Sequence, residues 1–221
     1  MVGAGGAGMC AAVSAAEGGA GVMVFEKNRT AAANQTSFAG GVFAVESKLQ
    51  RSAGDTLTRD EAFKVLMEHA HWSIDARLVK AFIDKSAGTI EWLGKQGIEC
   101  MAPGGYGEGG YNTVHGIKSK IRGGVFAEKV LIARAKELGV EIYLGTPVKK
   151  IIKSGDRVKA ILVEDKSGET IQVDTGAVII ASGGYGYNKE MLKQYGGFDL
   201  GRNLIVLHKF KHITGDGIQM A

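Results

Sequence analysis

Apolar and polar positions alternate with two different periods along this chain, and the switches between them mark out the elements. Residues 9–16 are almost wholly apolar, as a helix buried against a sheet requires, and Gly18 with Gly19 stops it. Residues 22–25 are a short apolar run of the kind a buried parallel strand shows. Thr58 with Glu61 three positions on is a capping box, and the helix behind it places Phe63, Leu66, Met67 and Ala70 on one face. The spacing predicts a second helix over about 75–96, with Leu78, Val79, Phe82, Ile83, Ile90 and Leu93 turned inward and Gly97 ending it. A further helix starts at Gly124, turns Ala127, Leu131, Ala135 and Leu138 inward, and closes at Gly139.

Residues 140–144 then read as a strand. Three alternating segments follow at 148–153, 157–164 and 169–173, joined at Ser154-Gly155-Asp156 and Lys166-Ser167-Gly168. Such turns predict hairpins, hence an antiparallel three-stranded meander inserted between two sheet strands. Residues 177–181 return to a buried strand ending in Ser182-Gly183-Gly184, a short helix lies near 189–195, and Gly215-Asp216-Gly217 opens a last apolar helical run. The long glycine-rich stretch at 101–124 is expected to be a loop, with His115 at its surface and not facing a substrate. Segments of these types in this order predict an α/β fold with a parallel sheet plus the meander.

Composition narrows the class. The chain has 221 residues, 45% apolar and 23% charged, which is ordinary for a globular protein with a real core. Its formal charge of +4 is scattered, with no basic stripe or basic-aromatic alternation, which points away from nucleic acid. No apolar run approaches the roughly 18 residues a membrane span needs. Cys10 and Cys100 make neither a close pair nor a metal motif, and Cys10 reads as a small apolar helix residue. His69 and His71, two apart on a helix, face different directions and make a poor metal pair. The reading favours the cytoplasm, with the periplasm as the alternative if a longer N-terminus exists.

The chemistry concentrates at residues 2–8, Val-Gly-Ala-Gly-Gly-Ala-Gly, ahead of the first helix. Gly3 permits a tight turn out of a strand, Gly5 lets backbone approach a pyrophosphate, and Gly8 lets the helix pack close on the sheet. The helix N-terminus offers free N–H groups and partial positive charge to phosphates. Glu26 stands eighteen residues beyond Gly8, near the spacing expected of the acid that binds a ribose hydroxyl. Together these predict a dinucleotide site. Only Met1 and Val2 precede Gly3, so the first strand reads as truncated and the chain as a piece of something longer. Residues 31–41, rich in small, amide and hydroxyl side chains, suit close approach to a ligand as well as they suit a plain connection.

The order of these parts resembles the FAD-binding flavoproteins of the fumarate reductase and succinate dehydrogenase superfamily, in particular the soluble fumarate reductase, urocanate reductase and ketosteroid dehydrogenase-like branch. The matching pieces are residues 2–8, Phe25-Glu26-Lys27, the 34–41 loop, the meander, Ala181-Ser182-Gly183-Gly184-Tyr185-Gly186-Tyr187-Asn188, and the stretch from Thr214 to Ala221. The resemblance implies one Rossmann-like FAD-binding domain over 1–221, with the family's capping domain and returning segment absent. It implies FAD contacts at Gly3, Gly5, Gly6, Ala7 and Gly8, a ribose contact at Glu26 beside Lys27, and a loop of Asn34, Thr36, Ser37, Gly40 and Gly41 along the flavin. Val148 would present backbone to the adenine, Ala181, Ser182 and Gly183 would pass over the adenosine half, and Asp216 would reach the cofactor. Ala31-Ala32-Ala33 departs from the glycine pair usual in the family.

In the intact protein the resemblance implies two-electron reduction or dehydrogenation of an activated carbon–carbon bond in a small-molecule substrate, an unsaturated carboxylate or enone, with room for an electron-donor partner. The family's catalytic residues follow the Gly-Asp-Gly turn, so none is named here, and the chain alone is expected to show no turnover. A noncatalytic flavin- or nucleotide-binding module and an NAD(P)-dependent Rossmann enzyme are the alternatives. The meander and the lack of a second nucleotide site count against the latter.

Overall fold

The computed structural model describes residues 1–31, 34–104, 112–199 and 211–221. The elements run α1 (Gly6–Glu17), β1 (Met23–Glu26), a 3-10 turn (Gln35–Phe38), β2 (Gly41–Phe43), α2 (Lys48–Ser52), α3 (Arg59–His69), α4 (Ala76–Lys95), β3 (Val114–Gly116), α5 (Gly123–Glu137), β4 (Glu141–Leu144), β5 (Val148–Ser154), β6 (Arg157–Glu164), β7 (Thr170–Asp174), α6 (Lys189–Gly196) and α7 (Asp216–Met220). They fall into two compact units, residues 1–37 with 131–221 and residues 38–130, the division falling inside α5. Ala32 and Ala33, in the stretch that departs from the family's glycine pair, and the centre of the glycine-rich loop at 105–111 lie outside the described residues.

In the first unit β1 pairs in parallel with β4, Met23 opposite Glu141 through Glu26 opposite Leu144. Val2 bridges in parallel to Phe25 on one side and Ile180 on the other. Its N–H donates to Ile179 O at 2.9 Å, and its carbonyl accepts from Ala181 N–H at 2.8 Å. The expected order of a parallel sheet is therefore present, but the 177–181 strand is reduced to a bridge. Ile179 and Ile180 are exposed, where the run of apolar residues predicted burial.

The meander forms as its turns predict, β5–β6–β7 antiparallel in sequence order. Its inner face contributes Val148, Ile161 and Val163 to a core shared with Val2 and Phe25. α1 buries Met9, Ala12 and Val13. Gly8 is what brings this helix close, because a Cβ there would overlap the Gly3 carbonyl oxygen. Cys10 is half-buried in α1, and its thiol is pushed up to about 11 by burial, which leaves it inert.

In the second unit the capping box on α3 is formed. Glu61 N–H donates to Thr58 Oγ1 at 3.2 Å, and Thr58 N–H donates to Glu61 Oε2 at 2.8 Å. Ala62 and Ile83 pack with Val45 and Leu57, and Phe63, Leu66 and Val79 lean on that cluster. Two residues expected to face inward from α4 do not. Leu78 and Phe82 are exposed at 72% and 53%, because the buried stripe is the narrower one through Ile83, Ser86, Ile90 and Leu93.

The 101–124 stretch is not wholly loop. It contains β3, which pairs antiparallel with β2, His115 opposite Val42. His115 is fully buried and not at the surface. Its Nδ1 faces Thr113 O at 3.3 Å, and its Nε2 lies 2.6 Å from Ser47 Oγ. A carbonyl can only accept, so Nδ1 carries the proton and the Ser47 hydroxyl donates to Nε2. Burial pulls His115 below the usual imidazole value, against its hydrogen bonding to the backbone of Thr113 and Val42.

Candidate functional site

The glycine turn sits where Val2 ends its one rung. Gly3 N–H donates to Phe25 O at 2.8 Å, and the residue adopts φ +100, with any added Cβ 2.5 Å from Ala181 O. Both conditions exclude a side chain. Gly5 then caps α1 in an extended conformation without a side chain to bond the helix's first N–H groups. One of those groups is met from elsewhere. Gly6 N–H donates to Thr36 Oγ1 at 2.9 Å, while Thr36 N–H donates to Asn34 Oδ1 at 2.9 Å. Ala7 and Gly8 occupy positions that have no acceptor within a helix, so this end of α1 keeps donors and partial positive charge for an anion.

Glu26, at the C-terminal end of β1, is 7% exposed. Its Oε2 accepts from Ala4 N–H at 2.9 Å and its Oε1 from Asn28 N–H at 2.8 Å. The carboxylate thus fastens the glycine turn to the end of the strand. Each oxygen keeps a lone pair for a further donor. The next residue, Lys27, reaches the far end of the chain. Its Nζ donates to Asp216 Oδ2 at 2.7 Å and to Thr214 Oγ1 at 2.8 Å, and the Thr214 hydroxyl donates to Asp216 Oδ1 at 2.6 Å. Burial raises the Asp216 carboxyl, but these hydrogen bonds and the charges of Lys27 and Lys149 outweigh it and hold the group below the usual carboxylate range. Gly217 N–H donates to Ser182 Oγ at 3.1 Å, which ties the same turn to the segment after Ile180.

These groups surround one cavity of about 230 Å³. Among the residues singled out from sequence, Gly3, Gly5, Gly6, Ala7, Glu26, Lys27, Asn34, Thr36, Val148, Ala181, Ser182, Gly183 and Asp216 line it. Gly8 is buried under the turn in a packing role, and Ser37 is buried in the 3-10 turn. Gly40 and Gly41 belong to the second unit, Gly41 opening β2. Sequence reasoning missed Asn28, Gln35, Pro147 and His212, which also line the cavity. His212 stands two residues before Thr214-Gly215-Asp216-Gly217, in a weakly patterned stretch. Burial and the Lys27 ammonium pull it below the ordinary imidazole value, against the pull of Glu26. Its Nε2 is buried with no hydrogen-bond partner among the described residues.

A side-chain-free cradle at a helix N-terminus, an acid at the strand end and an orphaned ring nitrogen fit a ligand with a diphosphate and a polar nucleoside. Comparison with known proteins agrees. Residues 1–221 match the protein family described as the FAD binding domain. The vinyl phenol reductase of Lactiplantibacillus plantarum is 31% identical over 225 residues, covering all of this chain and 44% of that protein. The NADH:fumarate oxidoreductase of Klebsiella pneumoniae is 28% identical over 220 residues, covering all of this chain and 24% of that one. In three dimensions the open conformation of a flavocytochrome c3 fumarate reductase matches with a TM-score of 0.86 at 26% identity, over 99% of this chain and 38% of that one. The chain thus spans less than half the length of each.

Proposed function

The chain belongs to the FAD binding domain family and its cofactor is FAD, and on that premise we propose that it holds the flavin of a fumarate reductase-like oxidoreductase. The observation that carries this is the cavity itself, on which the glycine turn, Glu26, the 181–183 segment and the Gly-Asp-Gly turn converge. The diphosphate lies over Gly5, Gly6 and the first turn of α1. A ribose hydroxyl donates to a free lone pair of Glu26, Val148 backs the adenine, and Ala181, Ser182 and Gly183 border the adenosine half. Asp216 holds Lys27 in place at the cavity wall. The loop through Asn34, Thr36 and Ser37 runs along the flavin, and the family match over 1–221 supports reading the chain as a cofactor-binding domain.

Bound FAD supplies two-electron chemistry. The residues described here bind and orient it, and the whole protein adds or removes two hydrogens across an activated carbon–carbon bond of a small unsaturated substrate, drawing electrons from a donor partner. Among the described residues no helix is long and apolar enough to cross a membrane.

Protein purified without added flavin should show a flavin absorbance spectrum, and heat should release FAD. Release of a nicotinamide cofactor with no flavin would overturn the assignment. The flavin-loaded whole protein, given a reduced viologen, should reduce a conjugated acceptor from a panel that includes fumarate and a vinyl phenol. Failure with the whole panel would sink the activity and leave the cofactor assignment standing.

A further inference from the structure

The polar side chains at the Glu26 end of the cavity are not equally committed. Lys27 is bonded to Asp216 and Thr214, and Glu26 is bonded to two backbone N–H groups. His212 Nε2 is buried and meets nothing among the described residues. A buried ring nitrogen without a partner is destabilising unless something supplies one when the protein is at work. The backbone under this histidine is fixed. His212 O accepts from Thr214 N–H at 3.0 Å, Ile213 is buried, and Ile213 O accepts from Tyr187 N–H at 3.0 Å. An orphan on a held backbone is a pre-organised contact waiting for a ligand atom, not a side chain that drifted inward.

We infer that His212 binds the cofactor, its Nε2 hydrogen-bonding a neutral oxygen or nitrogen in the adenosine half of FAD. The inference rests on the FAD assignment above. A neutral partner is indicated by position, since His212 lines the cavity beside Glu26 while the glycine turn receives the diphosphate, and burial and Lys27 hold the ring below the usual imidazole value. The diphosphate has its own donors at the start of α1. The adenosine half is indicated because His212 lines the cavity with Glu26 and Lys27 at the end of β1, and the Thr214 hydroxyl that accepts from Lys27 lies 3.4 Å from His212 O. A neutral imidazole can donate or accept at Nε2 as its tautomer requires, so it suits a hydroxyl or a purine nitrogen equally.

The test separates the halves of the cofactor. Purified protein is stripped of flavin and titrated calorimetrically with FAD, AMP and FMN, as wild type, His212→Ala and His212→Gln. In His212→Ala, affinity for FAD and for AMP should fall about tenfold, the loss of one hydrogen bond, with FMN affinity unchanged. His212→Gln, whose amide nitrogen can take the place of Nε2, should recover most of it. FAD affinity in His212→Ala within twofold of wild type, or an equal fall with FMN, would overturn the inference. Wild-type protein that binds no FAD would overturn the cofactor assignment first. Because a variant can fail to fold, wild-type protein with nitrogen-15 histidine offers a second reading. The His212 Nε2 resonance should shift on adding AMP and stay put on adding FMN, and a resonance unmoved by AMP would defeat the inference without any mutation.

Discussion

In the second unit Ser47, Gln50, Ser86 and His115 bond to one another or to nearby backbone, while in the first Glu26, Thr36, Lys27 and His212 line a cavity with bonding capacity left over. Ser47 caps α2 by accepting from Gln50 N–H at 2.9 Å and donates to His115. Gln50 accepts from Glu46 N–H and donates to Asn112 O at 3.0 Å, and Ser86 joins Val45 N–H to Ile83 O. Each bond closes a local loop and stabilises without offering anything to a ligand. Glu26 is buried, Thr36, Lys27 and His212 are half-buried, and all four line the cavity. Burial of a polar group therefore does not by itself indicate function; bonding capacity left over beside a cavity points to it.

The sharpest way to break this contrast is at Gly3. Gly3→Ala puts a side chain at φ +100 against Ala181 O, which should cost about 3 kcal/mol and lower the melting temperature by about 10 °C. Flavin content on purification should fall to nothing. Gly54→Ala, at φ +80 with open space around it, should cost about 1 kcal/mol and keep its flavin. Equal effects would mean that backbone strain, not the cradle, is what matters at Gly3.

Glu26→Ala comes next. Charged-group hydrogen bonds contribute about 1.5–3 kcal/mol, so FAD affinity should weaken roughly ten- to a hundredfold. Stability without flavin should also drop, since Ala4 N–H and Asn28 N–H lose their acceptor. A calorimetric titration with an unchanged dissociation constant would make Glu26 purely a fastener of the turn.

Ser47→Ala probes the closed network. It removes the α2 cap and orphans His115 Nε2, a loss of about 2 kcal/mol that denaturant unfolding should report, with FAD affinity untouched. A fall in affinity as large as that of Glu26→Ala would erase the distinction between the regions.

The smallest effect is with pH. His115 sits below its ordinary value of 6.5 in the folded chain, so the unfolded chain takes up the proton first as pH falls. Stability is then full above 6.5 and declines as pH drops below it. His212 is lowered too and adds to the decline in the same direction. His115→Gln should make the fall in melting temperature shallower, and an unaltered slope would assign the whole effect to His212.

Local rules carried the sequence reading far. Glycine spacing located the turn, a capping box located α3, and two hairpin turns located the meander, because each is written in residues close along the chain. What stayed hidden depends on distant partners. Lys27 meets Asp216, Thr36 caps a helix thirty residues before it, and His212 has no periodic context at all. Exposure was misjudged for a related reason. Leu78, Phe82, Ile179 and Ile180 are apolar in the right pattern, but whether an apolar face is covered depends on what packs there, and periodicity does not say.

The bond between Lys27 and Asp216 spans 189 positions, and it has a consequence for birth as well as for binding. At a synthesis rate of about 5–20 residues per second, roughly 10–40 s separate the emergence of its two ends from the ribosome. In that interval the whole of residues 38–130 is made. The nascent glycine turn and Glu26 wait with an open wall, and flavin can be captured only after the turn at Asp216 arrives. Supply of the cofactor thus meets a chain whose first 216 residues have all been made.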